Sequence, residues 1–129
     1  LNTLNEGTPL FTSTEGEQGL RDPFIMRSHD GDTFYMLATD LKISGRKGSF
    51  SAAQYNGSLY IEVWESNDLV NWTNQRHIKV SDDSAGNTWA PEAYWDDELG
   101  EYVVYWASNL YDNDDSSTRT SPSYNRMML

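Results

Sequence analysis

Two short segments hold the residues best suited to chemistry. Asp22, in the run Gly19-Leu20-Arg21-Asp22-Pro23, and Glu92, in Asn87-Thr88-Trp89-Ala90-Pro91-Glu92, each adjoin a proline near the head of an extended run. Two carboxylates around one site are the smallest set that can divide general-acid and general-base work between them. Trp89 adds a flat ring whose face covers C–H groups while its N–H donates a hydrogen bond. Composition closes off other chemistries. The chain has no cysteine, which excludes thiolate nucleophiles, thiolate metal sites and disulfides. Its two histidines, His29 in a turn and His77 in an outer strand, have no partner at metal-ligand spacing and read as bystanders, so no metal ligands are assigned.

The elements that must position these residues are short and extended. No long 3.6-residue periodicity occurs; β-branched and aromatic runs recur instead between clusters of Gly, Asn, Asp and Ser. Strands are expected at about 23–28, 33–39, 59–65, 75–80, 92–95, 101–108 and 125–129, with hairpin turns at His29–Asp32 and Asp96–Gly100. The pattern repeats. Asp22-Pro23 aligns with Ala90-Pro91, Gly31 with Gly100, Ala38 with Ala107 and Thr39 with Ser108, an offset of 68 to 69 residues with the second turn read as one residue longer. A repeat of this length, holding about four strands, is the size of a large propeller blade. The expectation is therefore an all-β chain of about two antiparallel blades, blade I over about 20–82 and an incomplete blade II over about 87–129. Blades bury their faces only against neighbours, so the chain reads as part of a longer ring. A seven-stranded β-sandwich would satisfy the strand count but not the repeat.

Inner strands line a propeller's central channel, so Asp22 and the Trp89–Glu92 stretch, at equivalent points of the repeat, are expected to face one axial pocket. Residues 42–58, rich in Gly and Ser, read as a long excursion of local importance, and residues 111–123 as a solvated acidic loop without the spacing of a calcium loop. With 20 acidic against 9 basic residues, a net charge of −11 and a pI near 4.3, the surface repels phosphate backbones and anionic lipid heads. Neither nucleic acid nor membrane is an expected partner, and no apolar run is long enough to span a bilayer.

Three ordered patterns resemble glycoside hydrolase family 43, the five-bladed β-propeller group of arabinofuranosidases, arabinanases, xylosidases and galactanases. They are the Asp22-Pro23 strand with its partner Phe34-Tyr35-Met36-Leu37-Ala38-Thr39, the turn Ser66-Asn67-Asp68-Leu69-Val70-Asn71-Trp72, and Trp89-Ala90-Pro91-Glu92 with Tyr102-Val103-Val104-Tyr105-Trp106-Ala107-Ser108. The resemblance implies that Asp22 is the general base of an inverting hydrolysis and that Trp89 and Glu92 contact or support the sugar. It also implies an oligo- or polysaccharide substrate containing arabinose, xylose or galactose, and a secreted, cell-surface or periplasmic setting. The family's general acid and the Asp that tunes it arise from later blades, so the 129 residues alone are expected to be inactive. No cofactor is expected, and a calcium ion in the parent's channel is not readable from these residues. A non-catalytic carbohydrate-binding propeller is the alternative reading.

Overall fold

The computed structural model describes residues 2–10, 12–46 and 49–129. The chain is all-β, built as two antiparallel sheets. The first runs β1 (Leu20–Arg27), β2 (Phe34–Asp40), β3 (Tyr60–Ser66) and β4 (Arg76–Lys79) in chain order, and the second runs β5 (Trp89–Asp96), β6 (Glu101–Asn109) and β7 (Asn125–Met128). Each sheet is a simple meander, as in adjacent propeller blades. One helical turn, α1 (Ala52–Tyr55), interrupts the excursion between β2 and β3; Lys47 and Gly48 of that excursion lie outside the described residues.

All seven expected strands are present, but β1 and β5 begin three residues earlier than the sequence reading placed them. Both prolines fall within these strands at a break in the ladder, between Arg21 and Phe24 in one and between Trp89 and Glu92 in the other. A proline has no N–H for the ladder and is accommodated at such a bulge, so the strand continues past it.

Pairing register corrects the repeat. Arg27 pairs with Phe34 and Trp95 with Tyr102, while Arg21 pairs with Thr39 and Trp89 with Ala107, so the offset is 68 on both strands of the hairpin. The second turn is not longer. Its glycine merely comes one place later: Gly31 N–H closes a turn onto Ser28 O, whereas Gly100 N–H reaches back four residues to Asp96 O. Both glycines have positive φ, which fixed the sequence alignment on the wrong residue. The true equivalences recur in contacts, since Arg27 lies over the Phe34 ring and Trp95 packs edge-on to Tyr102.

One face of the first sheet packs against β5 and β6. Leu37, Ile61, Val63 and Ala93 are buried together, flanked by Phe24, Met26, Tyr35, Val80 and Val104. Alternation sends Met36, Ala38 and Trp64 to the opposite face, where Leu20 and Trp72 join them. At the hairpin tips a second inter-sheet clasp forms. His29 stacks on Trp95 at 4.5 Å and its backbone N–H donates to the Tyr102 hydroxyl at 2.7 Å, so His29 is a structural clasp and not a bystander.

Candidate functional site

The other end of β1 and β5 holds Asp22. The bulge sets Asp22 at φ 48° and its repeat equivalent, Ala90, at φ 49°. Left-handed backbone costs an L-residue roughly 1–2 kcal/mol; aspartate offsets part of it by local hydrogen bonding, and alanine cannot. Such strain persists only where surrounding contacts over-determine it. Here the ladder pairs on either side of each bulge fix the backbone, and one hydroxyl joins the two bulges. Thr39, fully buried in β2, donates from Oγ1 to Asp22 Oδ2 at 2.9 Å, and the Ala90 N–H donates to the same Oγ1 at 2.8 Å. A hydroxyl carries one proton, so an amide donating into its lone pair commits that proton to Asp22. The carboxylate itself is exposed, and no other side-chain hydrogen bond occupies it among the described residues.

An aromatic pair stands at the same junction of β1 and β5. Trp89 packs against Phe50 with ring centroids 5.2 Å apart, and the Arg21 guanidinium lies 5.5 Å from the centre of the Phe50 ring. Arg21 and Trp89 are equivalent positions of the repeat, so Phe50 is held between matching residues of the two sheets. Sequence reasoning missed Phe50, which lies in a Gly- and Ser-rich segment with no periodicity to mark it. The excursion is also more than local. Gly57 N–H donates to Gly86 O at 2.8 Å, which ties it to the connection between the sheets.

Glu92 sits elsewhere. By register it is the equivalent of Phe24, not of Asp22, and it lies opposite Tyr105, whose hydroxyl donates to Glu92 Oε2 at 2.6 Å. That hydrogen bond pushes the Tyr105 hydroxyl pKa above its ordinary value. The structure thus brings Asp22 and Trp89 to one junction and leaves Glu92 two residues along from Ala90.

Two further groupings were not legible in the sequence. In the loop at residues 111–123, Arg119 is buried, and its guanidinium donates to the carbonyls of Ala85, Asp83 and Asn113 at 2.8, 2.7 and 2.6 Å. That loop is pinned by an internal cation. His77 also has partners, contrary to its reading as a bystander: its Nδ1 lies 2.5 Å from Glu62 Oε1, and Asp40 completes a compact trio with ligand atoms all within 4.8 Å of one another. The three residues are far apart in sequence and meet only because β2, β3 and β4 are neighbours.

Comparison with known proteins places the chain among glycosyl hydrolase domains. The family described as "Probable glycosyl hydrolase domain", related to glycoside hydrolase family 43, matches residues 1–129. An "Alpha-L-arabinofuranosidase" of Bifidobacterium longum subsp. longum is 45% identical over 128 residues, covering 95% of this chain and 12% of that protein. A "Beta-xylosidase" of Formosa agariphila is 32% identical over 80 residues, covering 62% of this chain and 10% of that protein. The chain spans about a tenth of the length of these curated relatives. Among the described residues no helix is long and apolar enough to cross a membrane. With the family model matching from end to end over two repeated antiparallel sheets, the chain belongs to this glycoside hydrolase family 43-related domain family.

Proposed function

We propose that these residues are part of an inverting glycoside hydrolase that cleaves arabinofuranosyl, xylosyl or galactosyl linkages in plant polysaccharide outside the cytoplasm, with Asp22 as general base. In this reading the two sheets are the first blade and an incomplete second blade of a five-bladed ring. The observation that carries it is the Thr39 hydroxyl joining the Asp22 carboxylate to the Ala90 amide at the same junction as an aromatic pair. A base needs one oxygen held and one free. Thr39 fixes the carboxylate through Oδ2, which leaves Oδ1 to accept a proton from water as that water attacks the anomeric carbon.

Trp89 and Phe50 supply a face on which a sugar ring rests, excluding water from one side of it. Inversion requires a second carboxyl about 6.5–9.5 Å away, across the bound sugar. Glu92 is assigned as a sugar-binding or supporting group and not as that acid, because Tyr105 engages it and it stands off the position equivalent to Asp22. The acid is supplied by another part of the parent protein, and the 129 residues alone are inactive. The test uses the full-length protein with aryl α-L-arabinofuranoside, β-D-xyloside and β-D-galactoside substrates, following the first-formed sugar anomer by proton NMR. Release of the inverted anomer from one of them supports the reading. Retention, or binding without hydrolysis of any of the three or of the matching polysaccharides, contradicts it.

A further inference from the structure

The face of the first sheet turned away from β5 carries two buried carboxylates that no Lys or Arg side chain pairs with among the described residues. Asp40 closes β2, Glu62 lies in β3 and His77 lies in β4 directly opposite Glu62. Asp40 is 2% exposed and Glu62 is fully buried. Among the described residues, Arg46 pairs with Glu17, Arg76 with Glu65 and Lys79 with Asp83, and none of these reaches Asp40 or Glu62. Two buried anions against at most one imidazolium leave a deficit of positive charge, and buried charge is strongly unfavourable unless compensated.

The donors are also fixed from behind. Ser58 Oγ donates to Asp40 Oδ2 at 2.6 Å and the Glu17 N–H to Asp40 Oδ1 at 2.7 Å. Gln75 Nε2 donates to Glu62 Oε2 at 2.5 Å, and Gln75 is itself held at Oε1 by the Thr14 N–H at 2.8 Å. The Tyr60 ring stacks flat on His77 at 4.0 Å and sets its plane. Partners of this kind orient metal ligands. A cavity of about 390 Å³, lined by Asp40, Ser58, Tyr60 and His77 among others, reaches two of the three side chains and gives an ion and its waters a way in; Glu62 is fully buried and not part of its lining.

We propose that Asp40, Glu62 and His77 form a site for a divalent transition-metal ion, Zn²⁺ by its donor set of one imidazole and two carboxylates, with water from the cavity completing the shell. Zinc bonds of about 2.0–2.2 Å place tetrahedral ligands roughly 3.3–3.6 Å apart. The trio, spread within 4.8 Å, needs Asp40 to draw in and the His77–Glu62 contact to widen by under about 1 Å, as the ion takes the place of the shared proton. Bound there, the ion would cross-link three strands and the segment around Glu17. The inference is independent of the role of Asp22.

The test takes the full-length protein, stripped with a chelator and dialysed, as wild type, His77→Gln and Glu62→Gln. Zn²⁺ is titrated by calorimetry, and Co²⁺ is followed by its visible d–d absorption. The wild type should bind one more equivalent than either variant, and its Tm, but not theirs, should rise through occupancy of that equivalent. Equal stoichiometry in all three, or no uptake by folded wild type, would overturn the site. Should both ligand variants misfold, Gln75→Ala keeps all three donors and should weaken that equivalent by about tenfold or more; an unchanged affinity would overturn it equally.

Discussion

Asp22 and Ala90, 68 positions apart, take the same left-handed backbone conformation at matching bulges, and one threonine hydroxyl touches both. The two sheets are thereby locked at the end where the proposed chemistry takes place. The same geometry distinguishes the two halves of the repeat: the first presents a carboxylate at this point, the second only a methyl group and a backbone amide.

Thr39 is therefore expected to matter to both stability and turnover. Thr39→Val leaves the part-buried Ala90 N–H without its acceptor, a loss of about 0.5–1.5 kcal/mol visible as a lower urea midpoint at constant m. In the full-length enzyme kcat should fall about tenfold with KM little changed, because the carboxylate is no longer held while the sugar wall is intact. Thr39→Ser keeps the hydroxyl and should recover most of both. A serine variant as impaired as the valine one would show that packing of the methyl, not the hydrogen bond, is what counts.

The aromatic wall predicts the opposite division. Phe50→Ala and Trp89→Ala should each raise KM about fivefold, near 1 kcal/mol, by removing ring contact with the sugar. Phe50 is exposed, so its removal should leave the unfolding midpoint almost unchanged. Unaltered KM in both variants would mean the rings pack only against each other.

Much of this arrangement was legible in the chain. Strand number and class followed from the short β-branched and aromatic runs, and the turn at Ser66–Trp72 from its Asp and Trp, because turns and alternation are written locally. Asp68 does accept from the Val70 and Asn71 amides, and Trp72 packs on Met36, Ala38 and Trp64. What failed was non-local. Thr39, Phe50, Arg119 and the Asp40, Glu62 and His77 trio acquire meaning only when strands distant in sequence become neighbours; Thr39 ends a recognisable run that gives it no role, and the others stand in no motif. The alignment slip at Gly31 and Gly100 has a local cause, since glycine marks positive φ but not the length of the turn around it.

Arg119 should behave as a structural cation. Arg119→Met removes the guanidinium donor from three carbonyls and its contact with the Tyr111 ring at 4.4 Å. A loss of about 2–4 kcal/mol is expected, measured by urea unfolding. A change within about 0.5 kcal/mol would place that loop outside the folded core's cooperative unit.

Acid stability should carry a signature of Asp68. Hydrogen bonds from the Asn71 backbone, then its side chain, then Val70, hold this carboxyl far below its ordinary value of 3.8. The folded pKa is depressed, so the native state binds fewer protons than the unfolded state; the contribution is present above the unfolded pKa and is lost as pH falls below it toward the folded one. The stability gap between wild type and Asp68→Ala should therefore be widest near neutrality and narrow below about pH 4. A gap that is constant with pH would mean the turn depends on the chain's conformation and not on the charge.

The most direct measurement on the central claim is the turnover and sugar binding of Asp22→Asn in the full-length protein. Loss of kcat by about a thousandfold or more, with the affinity for a product sugar kept within about threefold, is the expected result for a group that takes a proton in the transition state. An Asn variant that hydrolyses substrate at the wild-type rate would remove Asp22 from that role.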